Sequence, residues 1–273
     1  MQTTIAAVIP TFNRASLVSR AIDSVMRQTF LPSEIIVVDD GSTDNTENLI
    51  SEKYHSVSYF KTENRGVSAA RNIGINATKS EWIAFLDSDD EWLPQKLEKQ
   101  IAEISNQHNY KIIHCEEIWF RNGRRVNPKI KHKKYGGHIF EKCLPLCVIS
   151  PSAVVIHRDI FQELGCFDET LPACEDYDLW LRICAKYPVL FIDEPLIKKF
   201  GGHDDQLSKR FWGMDRFRVK ALHKILTLGK LTESQKQKAT DMLIQKCSIL
   251  INGFGKRGNY QAVQKYKSLV GKV

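Results

Sequence analysis

Trp82-Ile83-Ala84-Phe85-Leu86-Asp87-Ser88-Asp89-Asp90 is a run of five apolar residues that stops on four polar ones, three of them carboxylates. A short apolar run bounded this sharply reads as a strand buried on both faces. Upstream, Ile35-Ile36-Val37-Val38 ends the same way in Asp39-Asp40-Gly41-Ser42, and Thr4 to Ile9 ends at Pro10-Thr11. Val57 to Phe60 gives a further strand before the loop Asn64-Arg65-Gly66. Between these runs, Leu17, Val18, Ala21, Ile22 and Val25 recur at helical spacing, and Val67 to Ala77 is helix-compatible. Thr43 or Asp44 suits the cap of a short helix, and Pro94 suits the first turn of another that runs to about Ser105. This βαβαβαβ order predicts an α/β fold with a mostly parallel sheet flanked by helices. Ligands of such sheets bind beyond the carboxyl ends of the strands. Each polar cluster named above, Thr11 to Arg14 included, falls at such an end.

Downstream the pattern is less regular. Ile112 to Phe120 and Ser152 to Ile156 read as strands, Glu175 to Lys186 as a helix, and Leu196 to Phe200 as a strand before Gly201-Gly202-His203. Beyond that the β signals fade, and Met214 to Leu228, Ser234 to Ile251 and Tyr260 to Val270 read as helices. The expected division is a body of residues 1–205, with halves 1–105 and 106–205, and a helical region of residues 206–273.

A 42% hydrophobic content with 26% charged residues excludes disorder as the main state of the 273-residue chain. The net charge of +7 is unevenly placed: residues 206–273 hold 15 Lys and Arg against 3 Asp and Glu, leaving the body at −5. Residues 121–134 add seven Lys or Arg in fourteen. Such asymmetry fits a polyanion or an anionic membrane surface, and equally a Lys-rich helix bundle. Seven cysteines share no repeating spacing, and no second pair joins Cys143 and Cys147 in a zinc pattern, so reduced thiols are expected. Pro10 cuts the first apolar run short of a signal peptide or span, so a cytoplasmic protein is expected.

Two carboxylates two apart at a strand end, Asp87 and Asp89, suit a hard divalent cation shared with a diphosphate. A bare D-x-D is more often a solvated acidic turn, so its context decides. That context is a set of ordered motifs: Val8-Ile9-Pro10-Thr11-Phe12-Asn13-Arg14, Val37-Val38-Asp39-Asp40-Gly41-Ser42-Thr43-Asp44, Asn64 to Asn72, Phe85 to Asp90, and Glu175-Asp176-Tyr177-Asp178-Leu179-Trp180-Leu181-Arg182. Together, over roughly residues 4–205, they resemble the family 2 glycosyltransferases. The resemblance implies a GT-A fold, a nucleotide-diphosphate sugar donor and inversion at the anomeric carbon.

It also implies roles. Pro10, Thr11 and Arg14 would shape the nucleoside site, and Asp39 would accept from a uracil N–H. Asn64 and Arg71 would line the nucleotide, with the Arg71 guanidinium matched to phosphate oxygens. Asp89 would ligate Mn²⁺ or Mg²⁺, Asp87 would bind the nucleotide near the ribose and reach the ion directly or through water, and His203 is a candidate third ligand. Asp176 would be the general base, with Glu175 orienting the acceptor. Asp178 and Arg182 read as an ordinary i,i+4 helix pair. The implied partners are a UDP-sugar and a carbohydrate or lipid-linked acceptor of the cell envelope. The basic C-terminal region would touch anionic lipid at the inner face of the membrane, a homo-oligomer is compatible, and nucleic acid is not expected. Two other readings compete. A sugar-phosphate nucleotidyltransferase wants a Gly-rich loop after the first strand, where Thr11-Phe12-Asn13-Arg14 has none. A non-catalytic polyanion- or membrane-binding protein leaves the clustered carboxylates unexplained.

Overall fold

In the computed structural model, which describes residues 3–107, 109–202 and 211–271, the first four strands follow the sequence pattern closely. They are β1 (Ile5–Thr11), β2 (Glu34–Asp39), β3 (Ser58–Lys61) and β4 (Trp82–Phe85), paired in parallel in the order β3-β2-β1-β4. Every residue of β1 is buried. Its side chains alternate between faces: Ile5, Ala7 and Ile9 enter one apolar cluster, while Ala6 and Val8 enter others on the opposite face. Helices α1 (Ala15–Met26) and α2 (Thr46–Lys53) link β1 to β2 and β2 to β3, and α3 (Val67–Ala77) links β3 to β4. Gly41, after β2, has φ +85°, and a Cβ there would meet the Asn64 amide nitrogen at 2.9 Å, so the turn needs glycine.

Past β4 the sheet becomes mixed. Strand β5 (Glu91–Trp92), helix α4 (Lys96–Asn106) and strands β6 (Ile112–Arg121) and β7 (Arg124–Val126) come next in the chain. A 3₁₀ turn (Ile130–His132), α5 (Phe140–Cys143), a second 3₁₀ turn (Pro151–Ala153), β8 (Val155–His157), α6 (Arg158–Leu164), α7 (Glu175–Lys186) and β9 (Leu190–Gly201) follow. Among the described residues nine strands form one sheet, continuing β4-β8-β6-β9-β5 with β7 on β6. The parallel order therefore belongs to the first four strands; β8 pairs antiparallel with both β4 and β6, whereas β6 and β9 run parallel. Strands as short as β5 and β7 carry no period-2 signal. Strand β9 starts earlier than its sequence suggests, because register shifts beside Cys115 and Glu116 absorb the break at Pro195.

The C-terminal helices are α8 (Asp215–Thr227), α9 (Glu233–Gly255) and α10 (Tyr260–Val270). Thr232 starts α9 with a capping box: its Oγ1 accepts from Gln235 N at 3.3 Å, and Gln235 Oε1 accepts from Thr232 N at 3.0 Å. Leu222, Leu243, Cys247 and Val263 from these helices share one buried cluster with Phe85 of β4 and Leu179 and Trp180 of α7. All seven cysteines are free thiols. No helix among the described residues is long and apolar enough to cross a membrane.

Candidate active site

A cleft of about 850 Å³ opens beyond the carboxyl ends of β1, β2 and β4, where the parallel-sheet rule places a ligand. Each of the four polar clusters contributes to its wall: Pro10 and Thr11 at the end of β1 with Arg14 beyond it, Asp40 after β2, Asn64 and Gly66 before α3, and Asp87 to Asp90 after β4. Glu175 and Asp176 close it from the first turn of α7. Cys174, the residue before α7, sits at φ 61°, a left-handed conformation costly for a side chain with a Cβ. His203, the third metal-ligand candidate, lies outside the described residues.

Arg71 connects the two halves of this site. Its Nη2 donates to Asp87 Oδ1 and its Nη1 to Glu175 Oε1, both at 2.7 Å, and it is only 3% exposed. Burial opposes its charge, but the two carboxylates more than offset that and hold its pKa up. Glu175 is itself pushed up, by burial and then by the neighbouring Asp176. Arg71 therefore meets carboxylates first; its Nε is buried without a hydrogen-bond partner among the described residues.

The remaining carboxylates divide clearly. Asp89 Oδ2 pairs with Arg14 Nη1 at 2.6 Å, and its backbone carbonyl accepts from Arg20. Asp90 accepts from Ser152 Oγ at 2.6 Å and from Phe200 N at 2.9 Å, and burial pushes its carboxyl up to about 8. Asp176, half-buried on the cleft, takes Tyr177 N at 2.7 Å on Oδ1 and the Cys147 thiol at 3.1 Å on Oδ2. Asp39 is fully buried behind the wall rather than on it: Ser42 N donates to its Oδ1 at 2.7 Å and Tyr59 Oη to its Oδ2 at 2.6 Å. Its neighbour Asp40 faces the cleft and fastens the loop before α3 by accepting from Arg65 N and Gly66 N, each at 2.8 Å. Thr11 Oγ1 is buried in the wall with no partner among the described residues, a polar atom left available to a ligand.

Several cleft residues had no role in the sequence reading: Trp119, His132, Lys134, Cys147 and Lys199. Lys199 Nζ donates to Ser150 Oγ at 2.8 Å, and its charge is held on, against burial, by Glu117 and then Asp90 and Asp87. The available signal was the Lys198-Lys199 pair near the carboxyl end of β9, and the sequence does not say which of the two faces the cleft.

With this geometry in hand, the comparison with known proteins is specific. The sequence profile described as glycosyl transferase family 2 matches residues 6–165. The chain belongs to that family. An uncharacterized glycosyltransferase of Rickettsia felis is 33% identical over 218 residues, which cover 76% of this chain and 35% of that protein. A Rickettsia typhi relative shares 33% identity over 75% of this chain and 65% of its own length. This family 2 chain thus spans about a third to two thirds of the length of these relatives. The Escherichia coli UDP-Glc:alpha-D-GlcNAc-diphosphoundecaprenol beta-1,3-glucosyltransferase WfgD is 34% identical over 66% of this chain and 69% of its own. Among solved structures, S. aureus TarS 1-349 in complex with UDP-GlcNAc superposes with a TM-score of 0.68 at 16% identity, covering 97% of this chain and 91% of that one. The α/β fold with its flanking helices is that of a GT-A-like glycosyltransferase.

Proposed function

We propose that this chain transfers a sugar, with inversion, from a UDP-sugar to an acceptor hydroxyl in cell-envelope glycan synthesis. The observation that carries this reading is one cleft that gathers Asp87, Asp89 and Asp176, while Glu175 is committed to Arg71. The acceptor hydroxyl attacks the anomeric carbon, its proton passes to Asp176, and the bond to the nucleoside diphosphate breaks. Glu175 fixes the start of α7 through Arg71 and so positions Asp176. Arg14 and Lys199, cations on the wall, offset charge on the departing diphosphate.

Asp87 and Asp89 supply hard oxygen donors with the chemistry for Mn²⁺ or Mg²⁺, and these two residues would hold the ion. When bound, such an ion acts as a Lewis acid toward the diphosphate leaving group. The choice of UDP is supported by the UDP-GlcNAc title of the TarS structure and by the UDP-Glc donor in the name of WfgD. The WfgD name also supports a lipid-linked acceptor.

Titration calorimetry with UDP and Mn²⁺ tests the donor half. Asp89→Ala is expected to remove the metal dependence of UDP binding, and undiminished dependence would refute the ligand assignment. Asp176→Asn is expected to keep UDP binding and lose transfer. An active Asp176→Asn enzyme would show that the base lies elsewhere.

A further inference from the structure

We propose that residues 121–134 form a membrane-docking prong that seats the mouth of the cleft on an anionic lipid surface. The hairpin β6–β7 pairs Arg121 with Arg124 and Phe120 with Arg125. The chain then folds back until the His132 ring lies 5.0 Å from that of Trp119, which sets the 3₁₀ turn Ile130–His132 beside the hairpin. Ile130, on that turn, is 92% exposed, and no other large hydrophobic side chain among the described residues is as exposed. Around it Arg121, Arg124, Arg125, Lys129, Lys131 and Lys133 are all exposed. None of these six has an acidic partner among the described residues.

The C-terminal helices differ, although their composition is as basic. Lys224 donates to Asp168 and Asp178, Lys246 and Arg218 both engage Asp215, and Lys238 engages Glu141. Four of the twelve described Lys and Arg of that region are thus engaged, and the others are spread along the three helices and the turns between them, whereas six of the prong's cations fall within residues 121–133. The prong keeps its cations for an outside partner and adds an apolar tip. A bilayer with anionic headgroups matches both features, taking the cations at the headgroups and Ile130 at the acyl boundary. An acidic polymer would match only the cations. At the base of the prong, His132 and Lys134 line the cleft with Asp176, so docking turns the cleft toward lipid. This goes beyond the transfer reaction, because lipid binding is read without donor or acceptor.

The test is co-sedimentation of the full chain with phosphatidylglycerol-containing vesicles and with pure phosphatidylcholine vesicles, at low and high salt. Binding to the anionic vesicles alone, released by salt, is expected. Replacing Lys129, Lys131 and Lys133 together by Gln should lower the partition coefficient about 100-fold. Ile130→Gln, which removes the apolar contact without changing the charge, should weaken vesicle binding while leaving retention on heparin unchanged. These positions are exposed, and an unaltered thermal midpoint confirms folded variants. Failure of the wild type to bind anionic vesicles at low salt overturns the proposal. So does full binding by the triple variant, which would assign the contact to the C-terminal helices. Vesicle binding indifferent to Ile130→Gln would make the prong a site for acidic polymers instead.

Discussion

The Arg71 Nη1 donates to Glu175 Oε1 at 2.7 Å, joining residues 104 positions apart in the chain. The same guanidinium holds Asp87, so one buried cation fixes the first turn of α7 against the end of β4. The site is assembled by a pair that lies almost wholly out of water.

That burial sets the cost of removing the cation. Arg71→Met leaves the Glu175 carboxylate buried and unpaired and Asp87 without its main partner, which should destabilise the fold by about 3–5 kcal/mol. Glu175→Gln keeps a polar partner and should cost less. Urea denaturation of the two variants measures both. Equal, small losses would mean that the contact is not the clasp described here.

Gly74 gives a prediction in which two effects oppose. Alanine at an interior helix position is favoured over glycine by about 1 kcal/mol. Here, however, a Cβ would meet Val8 Cγ1 of β1 at 2.3 Å, so either the buried Val8 side chain or α3 itself has to shift. Overpacking of that kind costs about 1–3 kcal/mol, and Gly74→Ala should be net destabilising. Combining it with Val8→Ala should cost less than the two changes added together. Additive losses in a denaturation cycle would show that the close approach is not the cause.

How far the sequence foretold this site depends on the distance between partners. Strand ends were legible because an apolar run that stops on Asp87 or Asp39 is a local signal. The limits of α3 and α7, Val67–Ala77 and Glu175–Lys186, follow from the sequence alone. Which of Asp39 and Asp40 faces the cleft was not legible, since Asp39 ends β2 and Asp40 begins the turn after it, and only the tertiary packing decides which one reaches the wall. The same holds for the Arg71 clasp and for the buried Lys134–Glu117 pair at 2.8 Å, whose partners meet only through tertiary packing. The turn to antiparallel pairing at β8 was hidden for another reason: three residues carry no directional pattern.

Lys96 predicts a pH dependence of stability. Its Nζ is fully buried 4.1 Å above the Trp92 ring and donates to Gln100 Oε1 at 2.8 Å, and burial pulls its pKa down to about 7. An unfolded lysine titrates near ~10.4, so between about pH 7 and that value the unfolded chain binds a proton that the folded chain does not. Stability contributed by this position therefore rises with pH across that window, by up to about 1.4 kcal/mol per unit, and is flat below it. Lys96→Met removes the titrating group. The stability difference between wild type and variant, measured by denaturation from neutral to alkaline pH, should move in favour of the wild type. A constant difference would place the Lys96 pKa near its ordinary value.

Asp178 and Arg182 have the i,i+4 spacing of a surface pair, for which about 0.3–0.5 kcal/mol would be usual. The structure puts both inside. Asp178 Oδ2 accepts from Arg182 Nε and Nη2 at 3.0 and 2.8 Å and from Lys224 of α8 at 3.0 Å. Arg182 also donates to the carbonyls of Leu164, Gly165 and Cys166, which close the end of α6. Asp178→Asn thus leaves two cations facing a neutral amide and should cost about 3–5 kcal/mol, several times the surface value. Lys224→Met removes the more exposed partner and should cost less, because Arg182 still holds Asp178. Thermal and urea denaturation rank the two. If Asp178→Asn lost no more than a surface pair would, the junction of α6, α7 and α8 would rest on apolar packing alone.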